Sequence, residues 1–213
     1  MIFIGITGGV GAGKSEILSY LKGKEYTRVM LADEIAHDVM EPGEPAYTNI
    51  CEVFRGEDIF SSKEPQAPFD RKKLAQVIFS EDSKRKQMND IVHPAVKDYV
   101  KKQFQIEQEH GTIRILVLEA ALLLDDKYDM ICDECWYIYT TEENRRARLK
   151  ASRGYSDEKI DSIFACQLSE ATFRKACIEV IDNNGTKEEA FRQIDKAMKR
   201  AFERQHKLER ELK

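Results

Sequence analysis

No apolar run in the 213-residue sequence approaches the roughly 20 residues that a helix needs to cross a membrane. The first residues show neither the basic segment nor the small-residue cleavage site of a secretion signal. Cysteine is scarce: the chain has five, an odd number that excludes complete pairing in disulfides. We therefore expect a cytoplasmic protein with reduced thiols and no membrane partner.

Positive charge is not in excess either, because 34 Lys and Arg residues stand against 38 Asp and Glu residues, for a formal net charge of −4 at pH 7. Proteins whose main partner is nucleic acid usually carry a basic surface, so we expect no nucleic-acid partner. Hydrophobic residues make up 42% and charged residues 34%, which is typical of a soluble globular chain. The length fits one domain that carries a large insertion.

The Cys132-x-x-Cys135 pair lacks the context of a metal or redox motif. A structural zinc site takes four ligands, and no second C-x-x-C or H-x-x-x-H pair accompanies this one. A redox motif of this kind opens a helix, whereas here the strand-like segment WYIYT follows directly. We interpret both cysteines as structural.

Five short apolar segments have the composition of buried parallel strands. They span residues 2–6, 27–31, 113–118, 135–140 and 178–182. Segments with the 3.6-residue period of helices separate them, and this alternation favours an α/β fold with a parallel sheet. The long helical stretch between the second and third strands exceeds one crossover, so we expect a subdomain at the carboxyl edge of the sheet, where ligands of such sheets bind.

Two local features of this helical stretch carry expectations. Pro94 suits the first turn of a helix, because a proline there sacrifices no helical hydrogen bond. Phe and Tyr side chains at helical spacing between residues 74 and 104 are assigned to the core rather than to a ligand groove.

Residues 8–15, GGVGAGKS, fit the phosphate-loop pattern G-x-x-x-x-G-K-[ST] between a predicted strand and a predicted helix. Glycines let successive backbone N–H groups point at phosphate oxygens, and the helix adds its positive amino-terminal end. Lys14 would reach the β- and γ-phosphates, and the Ser15 hydroxyl would bind Mg²⁺. The loop predicts nucleotide binding without distinguishing a kinase from a GTPase or an ATPase motor.

Further short segments stand in order along the chain. They are GITGGVGAGKS at 5–15, ADEIAH at 32–37, EPG at 41–43, FDR-x-x-L at 69–74, IVHP at 91–94, a basic helix followed by Gln167, and VIDNNG at 180–185. In type and order they resemble the dephospho-CoA kinases, which phosphorylate the ribose 3′-hydroxyl of dephospho-CoA in the last step of coenzyme A synthesis. The resemblance covers about residues 3–185.

The chain departs from the family pattern at several positions. Where the family usually has Asp-x-Pro-Leu-Leu-x-Glu after the third strand, residues 119–125 read EAALLLD, with Ala121 in place of the proline. Leu31 replaces a frequent Asp, Cys177-Ile178 a frequent Ala-Asp pair, and Ser152 a lid arginine. A diverged kinase with another hydroxyl acceptor is the alternative that these departures leave open.

The resemblance implies a P-loop NTPase-type fold, with a parallel sheet of about five strands, helices on both faces, a helical acceptor-binding insert and a lid. We expect one kinase domain over residues 1–213. Its expected parts are a core at about 1–32, 111–140 and 176–205, the insert at about 33–110 and the lid at about 141–175. The implied substrates are ATP and dephospho-CoA, with Mg²⁺ as the cofactor.

The same resemblance assigns individual residues. The implied catalytic residues are Lys14, Asp33 and Arg148, and Ser15 and Glu119 would hold the metal, Glu119 through a water molecule. The residues implied to bind ATP are Gly9, Gly11, Ala12, Gly13, Lys14, Ser15 and Glu16, and those implied to bind the acceptor are Thr7, Asp33, Arg71 and His93.

Three of these residues also fit structural roles. As a catalytic carboxylate, Asp33 would orient the 3′-hydroxyl and accept its proton, and it also stands where it could cap a helix that starts near Glu34. Glu119 could cap a following helix, and His93 could shape the entry of a helix at Pro94. Both kinds of role stay open at this point.

The segment 142–153 is strongly basic and forms the lid candidate. Its cations are Arg145, Arg146, Arg148, Lys150 and Arg153. A planar guanidinium matches the charge that spreads over a phosphoryl group during transfer. We expect most of these cations on a solvated helix face, Arg145 among them, and Arg148 to be the best functional match.

The spacing of Arg148 and Arg153 bears on their lid role. They are five residues apart, so one regular helix would place them about 140° apart around its axis. We favour a helix that ends near Ala151, with Gly154 letting the chain turn Arg153 back toward the site. The alternative is that Arg148 acts alone and Arg153 is solvated.

Other nucleotide-binding classes fit less well. The nearest alternative is another P-loop small-molecule kinase, such as a nucleoside or nucleotide kinase. A regulatory GTPase would need the guanine-reading pattern N-K-x-D, and residues 183–186 read NNGT. A nucleic-acid ATPase conflicts with the acidic balance of the chain. The sequence does not indicate an oligomeric state.

Overall fold

In the computed structural model, which describes residues 1–211, the chain folds as two units. The first contains Met1–Met30 and the chain from Glu107 onward, and the second contains Leu31–Ile106. The phosphate loop, the basic helix and the sheet except Leu31 belong to the first unit.

The sheet has five strands. They are β1 (Ile2–Thr7), β2 (Thr27–Leu31), β3 (Ile115–Glu119), β4 (Glu134–Tyr139) and β5 (Glu179–Asp182), in the spatial order β2-β3-β1-β4-β5. The pairs β1–β3, β1–β4 and β4–β5 are parallel, with Ile4 opposite Val117 and Gly5 opposite Cys135. The predicted α/β fold with a five-stranded parallel sheet is confirmed, and each strand begins and ends within two residues of its predicted bounds.

The central position of β1 determines where a ligand can bind. Every residue of β1 is buried, and β3 and β4 pair with its two edges. The strands that follow β1 in sequence, β2 and β3, lie on one side of it in the sheet, and β4 and β5 lie on the other. Such a reversal opens a crevice at the carboxyl ends of parallel strands, and the loop after Thr7 starts there.

Helices flank the sheet in the first unit. They are α1 (Lys14–Lys22), α6 (Glu142–Arg153), α7 (Asp157–Ala165), α8 (Glu170–Ala176) and α9 (Lys187–Glu211). The small residues Ala190, Ala197 and Ala201 form part of the buried face of α9. An ion-pair cluster ties the helix to the sheet, because Arg200 and Arg204 bind carboxylates on β4 and β5.

The second unit is helical. Its elements are α2 (Ala32–Asp38), α3 (Pro45–Val53), α4 (Arg71–Ser80) and most of α5, which runs from Asp82 to His110. The Asp70 carboxylate caps α4 by accepting hydrogen bonds from the Lys72 and Lys73 backbone N–H groups. Between α3 and α4 the Tyr47 hydroxyl donates to the Ala67 carbonyl oxygen at 2.7 Å, which fixes the connecting loop.

Two expectations for this stretch are wrong. Pro94 lies inside α5 rather than in a first turn, and His93 therefore does not mark a helix entry. An internal proline costs about 3 kcal/mol, but the buried side chains at positions 88, 92, 96 and 100 repay it, at about 1.5–3 kcal/mol each. Phe79, assigned to the core, is 74% exposed.

The five cysteines all carry free thiols. Cys132 and Cys135 hydrogen-bond to each other, beside the backbone of Gly5 on β1. Burial raises the pKa of the Cys177 thiol to about 12, so this sulfur stays neutral. In residues 1–211 no helix is both long and apolar enough to span a membrane.

Candidate active site

The phosphate loop runs from Gly8 to Gly13 between β1 and α1. Gly13 precedes α1 with φ +84°, a conformation that strains any residue with a side chain. A Cβ at Gly13 would also lie 2.4 Å from Asn183 Nδ2, and one at Gly9 would lie 2.5 Å from the Arg145 guanidinium carbon. Gly13 therefore needs to be glycine because of its backbone conformation, whereas a side chain at position 9 would require the Arg145 guanidinium to move.

Lys14 and Glu119 come together at the start of α1. The Lys14 ammonium donates to the Gly8 carbonyl oxygen at 2.7 Å and lies 3.6 Å from a carboxylate oxygen of Glu119. Both side chains are largely buried, at 15% and 14% exposed. Glu119 ends β3, and turns rather than a helix follow it, so its interpretation as a helix cap is wrong.

The other loop residues assigned from the sequence lie on α1 or at the end of β1. Ser15 is the second residue of α1 and its side chain is exposed, while Glu16 pairs with Lys187 at 2.8 Å. Thr7 is fully buried, and within residues 1–211 its hydroxyl has no hydrogen-bond partner. An unpaired buried hydroxyl is unfavourable, which marks the end of β1 as a place where a polar partner would be stabilising.

Arg148 lies against the phosphate loop. It donates to the Asn183 carbonyl oxygen at 2.7 Å and to the Ala12 carbonyl oxygen at 3.3 Å. The side chain is half-buried on the face of α6 that also buries Leu149. The structure thus brings one of the predicted lid arginines to the loop.

Arg145 is not on a solvated face, and that expectation is wrong. Its Nε donates to the Val10 carbonyl oxygen at 2.9 Å, and its guanidinium hydrogen-bonds to Gln167 and lies 4.2 Å above the Phe164 ring. Burial lowers the pKa of Arg145, although a guanidinium stays charged. The charge count of the segment could not reveal this contact, because the loop it touches is far away in sequence.

The end of α6 also differs from expectation. The helix continues to Arg153, not Ala151, and Gly154 closes it with φ +63° and an N–H to the Lys150 carbonyl oxygen. Arg153 is exposed and lies 5.8 Å from the Tyr155 ring centre. The regular helix leaves Arg148 and Arg153 on different faces, so the turn that was to bring Arg153 back is absent.

Three predicted acceptor residues lie in the second unit. Asp33 is the second residue of α2, whose cap position is Leu31, so its interpretation as a helix cap is wrong. The helix starts two residues earlier than expected, and this places the Asp33 side chain on the first turn. Its carboxylate is exposed and makes no hydrogen bond or ion pair to residues 1–211.

A groove of about 400 Å³ lies in the second unit, with Arg71 and His37 among its lining residues. Its apolar lining includes Met40, Phe69, Leu74, Ala75, Ile78, Phe79 and Met88. Arg85, Glu41 and Asn89 supply further polar groups. Apolar walls with a few charged groups are typical of small-molecule sites. His93, half-buried in α5, is not part of this lining.

The family model for dephospho-CoA kinase matches residues 2–189, which is most of the chain and includes parts of both units. The chain belongs to the dephospho-CoA kinase family. It is 38% identical over 196 residues to the dephospho-CoA kinase of Shouchella clausii, covering 92% of this chain and 96% of that one. With the dephospho-CoA kinase of Oceanobacillus iheyensis it shares 34% identity over 199 residues, or 93% and 97% of the two chains.

The fold of this dephospho-CoA kinase family member is similar to a solved structure as well. The crystal structure of TT1252 from Thermus thermophilus superimposes with a TM-score of 0.73, at 24% identity, over 93% of this chain and 97% of that one. The similarity supports the parallel-sheet architecture described above.

Sequence reasoning missed three residues that hold the loop, namely Arg145, Thr140 and Asn183. Asn183 stood within the family landmark VIDNNG, which was a usable signal. Thr140 gave none, since it follows a strand as many threonines do. Both lie at the carboxyl edge of the sheet, where residues distant in sequence meet.

Proposed function

We propose that this protein transfers the γ-phosphoryl group of ATP to the ribose 3′-hydroxyl of dephospho-CoA and so makes coenzyme A and ADP, the last step of coenzyme A biosynthesis. The observation that carries this function is the family match over residues 2–189. A nucleoside or nucleotide kinase, the alternative from the sequence, is not favoured by any feature of the site. We further propose that the enzyme acts in the cytoplasm, without nucleic-acid or membrane partners.

ATP is proposed to bind with its phosphates on residues 8–15. Backbone N–H groups of the loop would donate hydrogen bonds to the phosphate oxygens, and the positive amino-terminal end of α1 would stabilise their negative charge. Lys14, now bound to the Gly8 carbonyl oxygen, would turn its ammonium to the β- and γ-phosphates. Glu16 would lie beside the nucleotide on the same turn of α1.

Ser15 and Glu119 would hold Mg²⁺. A hydroxyl and a carboxylate are the hard oxygen donors that this ion prefers, and Glu119 already lies beside the phosphate-binding Lys14. Within the described residues no three His, Cys, Asp or Glu side chains form a metal cluster. That arrangement fits a magnesium ion that takes most of its ligands from phosphates and water. The ion would neutralise charge on the transferred phosphoryl group.

Asp33 is proposed to hold the acceptor. Its exposed carboxylate has no competing protein partner in residues 1–211, so it is available to accept the proton of the 3′-hydroxyl as the new bond forms. Thr7 and His93 are proposed as further acceptor contacts. In the case of Thr7, the unpaired buried hydroxyl supports this assignment.

Arg71 and the groove around it are proposed to bind the rest of dephospho-CoA. The guanidinium would bind the diphosphate, because its planar fork matches phosphate oxygens. The apolar lining would accommodate the pantetheine arm, and about 400 Å³ is within the usual range of small-molecule sites.

Arg148 is proposed to stabilise the charge of the phosphoryl group during transfer. From its place on α6 it contacts the loop already, and a short movement of the guanidinium would reach a phosphate. Arg145 joins it in this proposal, because its guanidinium lies beside Gly9. Arg153, the other lid residue assigned from the sequence, has no comparable support.

An acceptor panel tests the function. The purified protein is incubated with Mg²⁺ and ATP together with dephospho-CoA, AMP, pantothenate or RNA, and ADP is measured. We expect rapid ADP formation with dephospho-CoA and only background with the other three. Faster turnover of AMP or pantothenate than of dephospho-CoA would contradict the proposal.

A further inference from the structure

Three side-chain donors lie within hydrogen-bond distance of the Ala12 carbonyl oxygen. Asn183 Nδ2 donates to it at 2.8 Å and Arg148 Nη1 at 3.3 Å. Thr140 Oγ1 lies 3.0 Å from it and 2.9 Å from the Tyr139 carbonyl oxygen, so these two oxygens share its single proton. Ala12, Thr140 and Asn183 are all buried. We call these three side chains around the Ala12 oxygen the Ala12 clamp. A carbonyl oxygen has two lone pairs, so this one is fully saturated.

The clamp acts on the peptide bond that leads into Gly13. In a trans peptide the C=O of one residue and the N–H of the next point in opposite directions. Holding the Ala12 oxygen toward Thr140 and Asn183 therefore turns the Gly13 N–H away from them. In a phosphate loop, that N–H is one of the donors that must face the nucleotide. The left-handed conformation of Gly13 is consistent with this turned peptide.

The donors come from three separate elements. Thr140 directly follows β4, Asn183 directly follows β5, and Arg148 lies on α6. The Asn183 carbonyl oxygen also accepts the 2.7 Å hydrogen bond from Arg148 Nη2. Asn183 thus bonds to the loop through its side chain and to Arg148 through its backbone. It thereby fixes the position of Arg148 relative to the loop.

We infer that Thr140 and Asn183 are positioning residues of the ATP site, which hold the Ala12 carbonyl oxygen so that the loop N–H groups are oriented for phosphate before ATP arrives. This inference rests on the proposed role of residues 8–15 as the ATP site. A donor that only stabilised the fold would affect the free energy of unfolding without a selective effect on ATP.

Substitutions at Thr140 separate these roles. Thr140→Val keeps the shape of the side chain and removes the hydroxyl, whereas Thr140→Ser keeps the hydroxyl. We expect Thr140→Val to weaken binding of a non-hydrolysable ATP analogue about 5- to 10-fold, as one lost hydrogen bond would. KM for dephospho-CoA should stay within about 2-fold, and Thr140→Ser should restore most of the affinity.

Thr186→Val is the matched control. The Thr186 hydroxyl accepts a hydrogen bond from the Glu189 N–H at the start of α9, and within residues 1–211 it makes no hydrogen bond to the phosphate loop. Losing a hydroxyl cap costs about 0.5–2 kcal/mol, so this variant reports what lost stability alone does to ATP binding. We expect its affinity for the analogue to match that of the unmodified protein.

Asn183→Asp is a second, independent variant. It replaces Nδ2, which now donates to the Ala12 oxygen, by a carboxylate oxygen in a side chain of the same size. That oxygen and the Ala12 oxygen would repel each other. We expect a loss of analogue affinity of at least 10-fold. If Thr140→Val and Asn183→Asp fold and bind the analogue as tightly as the control, the inference is overturned.

The binding measurement separates this inference from the proposed function. If the unmodified protein binds the analogue normally but does not phosphorylate dephospho-CoA, the proposed function is wrong. The role of the clamp in ATP binding can still be tested in that case. Normal coenzyme A formation by both clamp variants, with unchanged KM for ATP, would contradict the clamp alone.

Discussion

The Lys14 ammonium lies 3.6 Å from the Glu119 carboxylate and donates to the Gly8 carbonyl oxygen. The phosphate-binding cation and the proposed metal carboxylate thus balance each other's charge at the end of β3. Phosphates and Mg²⁺ would replace this pairing by giving each group a partner of opposite charge.

Lys14→Ala should therefore abolish most activity without unfolding the protein. The buried face of α1 is formed by Ile17, Leu18 and Leu21, which the substitution leaves intact. We expect kcat to fall by about 10²- to 10³-fold, the usual effect of removing one donor to transition-state charge. Lys22→Ala, at the exposed last turn of α1, is the control. Near-normal ADP production by a folded Lys14→Ala variant would show that the loop assignment is wrong.

Asp33→Asn tests the proposed base. Because Asp33 neither caps α2 nor bonds to another described residue, we expect the free energy of unfolding to change by less than about 0.5 kcal/mol. Activity should fall by about 10²-fold or more, since an amide cannot accept the proton. Glu34→Gln changes the neighbouring exposed carboxylate and should leave kcat intact. Equal kcat values in the two variants would remove the catalytic role of Asp33.

The lid arginines give a geometric test. Arg145 and Arg148 bond to loop carbonyl oxygens, whereas Arg153 is exposed beside Tyr155. We expect Arg145→Ala and Arg148→Ala each to lower kcat/KM for ATP by about 10-fold or more, or about 1.4 kcal/mol. Arg153→Ala should stay within about 2-fold, as a solvated residue would. A large loss in Arg153→Ala would restore its lid role and show that α6 rearranges during catalysis.

Filling the groove in the second unit should affect only the acceptor. Ala75→Trp would occupy space between Leu74, Ile78 and Met88, so we expect KM for dephospho-CoA to rise about 10-fold or more, within the usual cost of a steric misfit in a site. KM for ATP should not change. The control is Gln76→Trp on the exposed side of α4. Normal KM for dephospho-CoA in the filled variant would place the pantetheine arm elsewhere.

Stability should depend on pH through Glu179. Burial raises the pKa of this carboxyl, but hydrogen bonds from Arg200 and Arg204 outweigh burial and hold the pKa below its usual value. A lowered folded pKa adds stability above the unfolded pKa of about 4.3, and this stability is lost as pH falls through the folded value.

Arg200→Ala removes two of these hydrogen bonds. We expect a loss of about 1–2 kcal/mol at pH 7, reduced from the full value of a charged hydrogen bond because Arg200 is partly exposed. Urea unfolding at pH 7 and pH 3 measures this loss of unfolding free energy, and a substitution at an exposed residue, Lys199→Ala, is the control. The deficit should shrink at pH 3, and an equal deficit at both values would mean that Glu179 ionisation does not contribute.

The strands and the phosphate loop could be predicted because both depend on local patterns. A short apolar run such as Ile2–Thr7 is buried in almost any parallel sheet, and the spacing of Gly13 and Lys14 is specific to phosphate binding. The errors lie where tertiary packing overrides a local preference. Pro94 is held in α5 by the buried face around it, and α2 starts at Ala32 without a capping side chain.

The Ala12 clamp could not be predicted, because its members are far apart in sequence. Thr140 is 128 positions and Asn183 is 171 positions from Ala12. The burial of Arg145 escaped prediction for the same reason: a run of charge predicts solvation, and only the position of the loop shows which arginine is covered. Local patterns therefore identify the phosphate loop, whereas the tertiary fold determines which side chains contact it.

The position of the new phosphate tests the central claim most directly. The protein is incubated with Mg²⁺, ATP and dephospho-CoA, and the product is analysed by phosphorus NMR and mass spectrometry, with Lys14→Ala as the control. The account predicts one ADP for each coenzyme A, with a phosphomonoester at the ribose 3′ position and none from the control. A phosphate on any other hydroxyl, or ADP released without a phosphorylated acceptor, would contradict it.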